Sequence, residues 1–153
     1  ILEKGYCKEI LIKTINFTKK SAQKFHFNYH KKPVSSYQEP LEYLYEPNAA
    51  VLKSGAFHEI STQLNIFKLH QHSHLYTSKK RIEFPGREFK IVAVLPYDKK
   101  QILKLLPNKK ANITIRNFHK TVAQIRKELK IKDGGDSFLF FTTNIHNKFI
   151  FVP

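Results

Sequence analysis

The stretch "ANITIRNFHKTVAQIRKELKIKDGGDSFLFFTT", residues 111–143, has the clearest periodicity in this 153-residue sequence. Ile113 and Ile115 alternate in a segment rich in β-branched residues, which predicts a strand over residues 111–117. Apolar residues then recur at steps of four, three and four, which predicts a helix over residues 118–130 with Phe118, Val122, Ile125 and Leu129 on its buried face. "SFLFFTTN" and "KFIFVP" predict a terminal hairpin of two strands across "IHN".

The loop Asp133-Gly134-Gly135-Asp136 lies between the predicted helix and the next strand. A phosphate-binding loop of the P-loop kind needs its glycines after a strand and before a helix, so the order of elements excludes that class. Glycine just past a helix end commonly supplies a left-handed cap. We therefore expect this loop to cap the helix and to turn the chain into the strand, and we expect no catalysis there.

Further elements are predicted towards the N terminus. Asp98 is expected to cap a helix over residues 99–106, and residues 41–47 and 66–78 have the pattern of strands. Pro47 is suited to the first turn of a helix over residues 48–65, because it lacks only an amide proton that has no helical partner there. The buried stripe predicted for that helix consists of Ala49, Leu52, Ala56, Ile60 and Leu64.

The first 40 residues predict a hairpin followed by a linker. Residues 7–17 and 23–30 have the pattern of strands, the second with Phe25, Phe27 and Tyr29 on one face. Residues 30–40 contain two prolines and few apolar side chains, as linkers do. We expect domain boundaries near residue 40 and near Phe89, and an α+β fold overall.

The chain is strongly basic. Lysine and arginine number 27 against 12 acids, which gives a formal charge of +15 and predicts a polyanionic partner, although a basic surface without a partner is the alternative. No run approaches the roughly 20 apolar residues of a membrane span. Cys7 is the only cysteine, which excludes an internal disulfide and suits a reducing compartment, so we expect a cytoplasmic protein. Because the sequence begins at Ile1, we also expect it to be a piece of a longer polypeptide.

The basic residues of the last two thirds are the candidate RNA-binding residues. Cations hold a nucleic-acid backbone and aromatic rings stack on unpaired bases, and here Tyr76, Phe118 and His119 are interleaved with the cations. The candidates are Lys79, Lys80, Arg81, Arg87, Lys109, Lys110, Arg116, His119, Lys120 and Lys127.

A metal site is the weaker alternative. His70, His72 and His74 would share one face of a strand over residues 66–78, about 6.6 to 7 Å apart, so they could converge on zinc only in part. A polar strand face is the ordinary interpretation, and we expect no metal. No sequence motif of a nucleophilic or glycine-rich cofactor site is present.

Several phrases carry a family resemblance: "YLYEPNAAVLKSGAFHEI", "LHQHSHLYTS", "EFPGREFKI", "NITIRNF" and "RKELKIKDGGDSFLFFTT". They resemble the C-terminal region of a bacterial group of class I S-adenosylmethionine-dependent methyltransferases. In that group a catalytic domain is followed by a small ferredoxin-like domain and a THUMP-like domain. The resemblance covers about residues 41–152.

The resemblance implies three parts. Residues 1–39 would be the last strands of the upstream methyltransferase domain, residues 40–88 a ferredoxin-like domain and residues 89–153 a THUMP-like domain. The catalytic residues and the S-adenosylmethionine site would lie upstream, with none in this segment. The implied role is to bind and position RNA, with tRNA as a candidate, and the alternative is docking to a protein or dimerisation.

Overall fold

The computed structural model describes Gly5, residues 8–19, 21–29 and 33–143, and the backbone of residues 148–152. These residues form three sheets. The elements in chain order are β1 (Leu11–Phe17), β2 (Ala22–Asn28), β3 (Tyr43–Pro47), α1 (Ala49–Ser54), α2 (Glu59–Gln63), β4 (Phe67–Lys68), β5 (Tyr76–Ser78), β6 (Gly86–Lys90), β7 (Ala93–Leu95), α3 (Lys99–Leu105), β8 (Asn112–Arg116), α4 (Val122–Leu129), β9 (Phe138–Thr143) and β10 (Lys148–Val152).

The N-terminal sheet is the predicted hairpin, with β1 and β2 antiparallel. Phe25 and Phe27 alternate along β2 as predicted; both are buried, and they pack into a cluster with Tyr45, Ile60 and Tyr76. Tyr29 lies beyond the end of β2 and is exposed, so the strand ends before the last of the three predicted aromatic positions. Cys7 and His30 lie outside the described residues.

The middle sheet has the order β4-β5-β3-β6 and is antiparallel throughout. The single helix predicted over residues 48–65 is wrong, because Gly55 adopts a left-handed conformation with φ of 76° and ends α1. Glycine has no Cβ to oppose that conformation, so the chain turns and α2 starts afresh at Glu59. The predicted stripe is confirmed in part: Ala56 and Ile60 are buried and Leu52 and Leu64 are half-buried, whereas Ala49 is exposed. Val51, which was not in the stripe, is buried.

The strand predicted over residues 66–78 is also wrong. Strands β4 and β5 pair as the two arms of a hairpin, and residues 70–74 lie in its loop. The amide of Leu69 donates to the carbonyl of Leu75 at 3.0 Å, which closes the loop. His74 has a φ of 50°, a left-handed conformation that a strand does not permit.

The predicted linker is packed onto the middle sheet's helices where the structure describes it. Ser35 is buried, and its hydroxyl lies 2.8 Å from Nδ1 of His58 and 2.7 Å from the hydroxyl of Ser61. Tyr37 also forms an isolated bridge with Lys68. Residues 33–40 therefore follow the surface of the middle sheet and its helices.

The C-terminal sheet has the order β7-β10-β9-β8, in which β8 and β9 are parallel and are connected through α4. Asp98 caps α3 as predicted, with its carboxylate accepting from the amide of Gln101. The helix predicted from residue 118 begins at Val122, because Thr121 and Gln124 form a capping box there. Phe118 packs onto the same core from the preceding loop.

The Gly134-Gly135 pair does not cap α4, contrary to the prediction. Lys130 takes the left-handed cap position with φ of 55°. Gly134 and Gly135 have φ of 90° and 82° and turn the chain later, between Asp133 and β9.

Strand β9 is buried on both faces, which explains its uninterrupted apolar run. Leu139 and Phe141 pack against α3 and α4, whereas Phe138 and Phe140 pack against the middle sheet. The residues of the middle sheet and its loops in this contact are Leu44, Leu69, Leu75 and Phe89. The two larger sheets therefore share an apolar interface, and the fold is α+β as predicted.

Candidate nucleic-acid interface

The four arginines of the chain are all paired with acids. Arg81 pairs with Glu88, and Arg126 pairs with Asp133. Arg87 and Arg116 share one carboxylate, that of Glu46. The structure thus gives three predicted RNA-binding residues, Arg81, Arg87 and Arg116, an acidic partner within the protein.

Glu46, Arg87 and Arg116 form a joint between the two larger sheets. Glu46 is on β3, Arg87 is on β6 and Arg116 is at the end of β8. The Glu46 side chain is only 5% exposed, and its Oε1 accepts from Nη2 of Arg116 at 2.7 Å while Oε2 accepts from Arg87. A buried carboxylate requires such charged donors, so these two arginines have a structural task.

Lys120 is held by the C-terminal helix. Its Nζ lies 2.6 Å from Oε2 of Glu128 and 4.3 Å from the ring centroid of Tyr97. The hydrogen bond with Glu128 raises the pKa of Lys120, and the same bond lowers the pKa of Glu128. Lys120 remains partly exposed, with its charge compensated by Glu128.

The remaining predicted residues are exposed. Lys79 and Lys80 follow β5, Lys109 and Lys110 precede β8, Lys127 is on α4, and His119 lies beside Phe118 with their ring centroids 4.6 Å apart. No ion pair involves the five lysines of this group among the residues that the structure describes.

Two further lysines join Lys109 and Lys110, and sequence reasoning missed both. The backbones of Lys110 and Lys132 form an isolated parallel bridge, and the amide of Lys132 donates to the carbonyl of Lys109 at 2.8 Å. Lys130 precedes Lys132 with the buried Ile131 between them. The alternation of Lys130, Ile131 and Lys132 is the sequence pattern that could have indicated two exposed lysines on either side of a buried residue. Lys109, Lys110, Lys130 and Lys132 are all exposed, and we call this group the lysine end.

Two of the three aromatic candidates for base stacking are turned inwards. Tyr76 is fully buried, and its hydroxyl donates to the carbonyl of Phe57 at 2.8 Å. Phe118 packs against Tyr97 and Phe141 in the C-terminal core. Only His119 keeps an exposed position, so the stacking predicted for Tyr76 and Phe118 is not supported.

The loop of residues 70–74, which carries the three histidines, contacts the C-terminal sheet through His70 and the α1–α2 turn through His74. Nδ1 of His70 lies 3.2 Å from the side-chain nitrogen of Asn117, and the His74 ring stacks on Phe57 with a centroid separation of 3.8 Å. Burial, followed by the charge of Lys68, lowers the pKa of His74 to about 4. Within the described ranges, no three His, Cys, Asp or Glu side chains are arranged to hold a metal ion.

The glycines do not form a cofactor loop in the described residues. A Cβ on Gly86 would lie 2.1 Å from the carbonyl oxygen of Glu46, so this glycine permits two strands to approach each other. Gly55 ends α1, and Gly134 and Gly135 form a turn before a strand. These residues do not fit an S-adenosylmethionine site of the glycine-rich kind. No described helix is long and apolar enough to cross a bilayer.

Comparison with known proteins matches two domain families to successive parts of the chain. A ferredoxin-like domain family matches residues 43–85, and a THUMP domain-like family matches residues 86–152. A crystal structure of a candidate methyltransferase from Porphyromonas gingivalis W83 superposes with a TM-score of 0.83 at 34% sequence identity. The match covers 93% of this chain and 37% of that one. No curated protein matches the sequence significantly.

The family matches divide the chain at the start of β6, which pairs with β3 in the middle sheet. The boundaries expected near residues 40 and 89 remain predictions. The chain carries a ferredoxin-like domain followed by a THUMP-like domain.

Proposed function

We propose that this chain is the RNA-binding, substrate-positioning part of an S-adenosylmethionine-dependent methyltransferase. The observation that carries the proposal is the THUMP-like domain at residues 86–152, with exposed lysines that no acid neutralises among the described residues. The similarity to a candidate methyltransferase, of whose length the match covers only 37%, supports a catalytic domain elsewhere in the polypeptide. S-adenosylmethionine would bind in that domain. The lone cysteine supports a cytoplasmic location.

The proposed mechanism is electrostatic. Exposed lysines attract the phosphate backbone and release its counterions, which makes binding salt-dependent. Because the middle and C-terminal sheets are joined by a shared apolar interface and by the joint, an RNA held on one of them has a defined position relative to the other. Such a rigid support would present the RNA to a catalytic domain in a fixed orientation.

The direct test is to measure binding of the chain to tRNA at about 50 and about 200 mM salt, which lie below and above physiological ionic strength. We expect clear affinity at the lower concentration and a steep loss at the higher one. A DNA duplex of similar length serves as the control for general polyanion binding. Absence of affinity for tRNA at both salt concentrations would refute the proposal.

Docking to the methyltransferase domain of the same polypeptide is the second candidate function. It is favoured by the outer face of β1, where Leu11, Ile15 and Phe17 are exposed beside Lys13, with Phe17 82% accessible. Apolar side chains on one face of a two-stranded sheet are typical of a covered surface. Hydroxyl-radical labelling of Phe17 should fall in the full-length polypeptide relative to this chain, and equal labelling would remove this candidate.

A further inference from the structure

The lysine end places two positive charges opposite each other, which lowers the stability of the fold. Lys110 and Lys132 are direct partners in a parallel bridge, and bridged backbones lie about 4.8 Å apart. Like charges placed opposite each other in this way repel and reduce stability. Of the two carboxylates in the adjoining loop, Asp133 is already paired with Arg126, and Asp136 is exposed.

The lysine end also lacks the groups that read bases. Arginine is the side chain that pairs with a guanine edge through two hydrogen bonds, and all four arginines are paired with acids. Between residues 86 and 143 the large exposed apolar side chains are Val92 and Val94, neither of them aromatic, and the exposed ring of His119 does not belong to the lysine end. A single strand is normally held by stacking its bases on exposed rings, so this surface is poorly suited to one.

From these observations we infer that the lysine end binds the phosphate backbone of double-stranded RNA, without reading its sequence. The inference rests on the proposed function of RNA binding and assigns it a site and an RNA form. Lysine is a flexible point charge that suits phosphates without demanding a fixed geometry. A double helix also presents about twice the phosphate charge per unit length of one strand, which matches closely spaced lysines. Phosphates between Lys110 and Lys132 would relieve their repulsion.

The experiment compares an RNA duplex of about 20 base pairs, which is about two helical turns, with either of its single strands. Binding is measured by fluorescence anisotropy at several salt concentrations. We expect the duplex to bind more tightly than either strand, with little change when its sequence is shuffled. The variant Lys110→Gln/Lys132→Gln should lower the slope of log affinity against log salt by about two, since each phosphate contact contributes about 0.9.

The matched control is Lys13→Gln/Lys24→Gln, which removes the same charge from two exposed lysines on the N-terminal hairpin. We expect it to change the slope much less. Both variants are checked for an unchanged circular dichroism spectrum, so that loss of binding is not loss of folding.

The outcomes separate this inference from the proposed function. Tighter binding of single strands, or an equal effect of the two double variants, would overturn the lysine end as a duplex site while leaving RNA binding intact. No salt-dependent affinity for any RNA would overturn both.

Discussion

The joint between the two larger sheets offers a direct test of how the structure is held together. Substitution Glu46→Gln keeps the shape of the side chain and removes its charge. Arg116 and Arg87 would then face a neutral amide in place of the carboxylate that now accepts from both. We expect a clear loss of stability, because a buried acceptor of two charged donors has been weakened at a point where two sheets meet.

The size of the loss follows from burial. Breaking a fully buried ion pair costs about 3–5 kcal/mol. Here the Glu46 side chain is 5% exposed, but Arg87 and Arg116 are 51% and 35% exposed, so water replaces part of what the guanidinium groups lose. We therefore expect a loss of about 2–3 kcal/mol in the free energy of unfolding. At about 2–4 °C per kcal/mol for a chain of this size, the melting temperature should fall by about 4–12 °C.

The assay is urea unfolding followed by circular dichroism, with Glu88→Gln as the control. Glu88 pairs with Arg81, whose side chain is 69% exposed, so the control should lose less than about 1 kcal/mol. A double-mutant cycle of Glu46→Gln with Arg116→Gln should show coupling between the two sites. If Glu46→Gln is no more destabilising than Glu88→Gln, the reasoning about the joint is wrong.

Three other predictions concern His74, the glycines Gly86 and Gly55, and the lysine end. The first prediction concerns pH. Between pH 6.5 and pH 4 the unfolded chain protonates His74, whereas the folded chain, in which the pKa of His74 is about 4, does not. The free energy of unfolding should therefore fall by about 1–2 kcal/mol over this range, since His74 is partly exposed. His74→Asn, which tolerates the left-handed backbone, should flatten that dependence in urea titrations at each pH, and an unaltered pH profile would contradict the assignment. Gly86→Ala should lower the free energy of unfolding by at least about 2 kcal/mol or prevent folding, because the new Cβ would clash with the backbone of β3. Gly55→Ala has open space around its Cβ and should cost only about 1–2 kcal/mol, from the left-handed conformation alone. Equal urea midpoints for the two variants would refute the steric argument. Lys110→Gln/Lys132→Gln should leave stability unchanged or raise it by up to about 1 kcal/mol while weakening RNA binding, and a lower thermal midpoint would show that these lysines stabilise the fold.

The elements that were predictable from sequence are those set by local chemistry. Asp98 caps α3 because its carboxylate reaches an amide three residues away, and Ile113 and Ile115 mark β8 by simple alternation. The errors arose where a local pattern has two solutions. Gly55 can lie within a helix or end it, and the alternating residues 66–78 can form one strand or two arms of a hairpin. Packing against the rest of the middle sheet selects between them.

For the candidate RNA-binding surface, the sequence predicted an excess of positive charge but not which cations are free of an acidic partner. Arg116 and Lys110 look alike in the sequence, as basic residues beside β8, yet Arg116 is bound to Glu46, 70 residues away along the chain. Lys132 could not be assigned from the sequence, because its neighbour Lys110 is 22 positions away along the chain and is brought close only by the parallel bridge ahead of β8 and β9.

The amino-acid sequence by itself determined the excess of positive charge, the α+β class and most of the regular elements, since these depend on composition and on contacts a few residues apart. Tertiary structure decided which of those charges are neutralised and which stand together. The physical reason is that electrostatic interactions act through space and are screened within about 10 Å in salt solution, so only the folded positions of Glu46, Asp133 and Glu128 reveal which cations they hold.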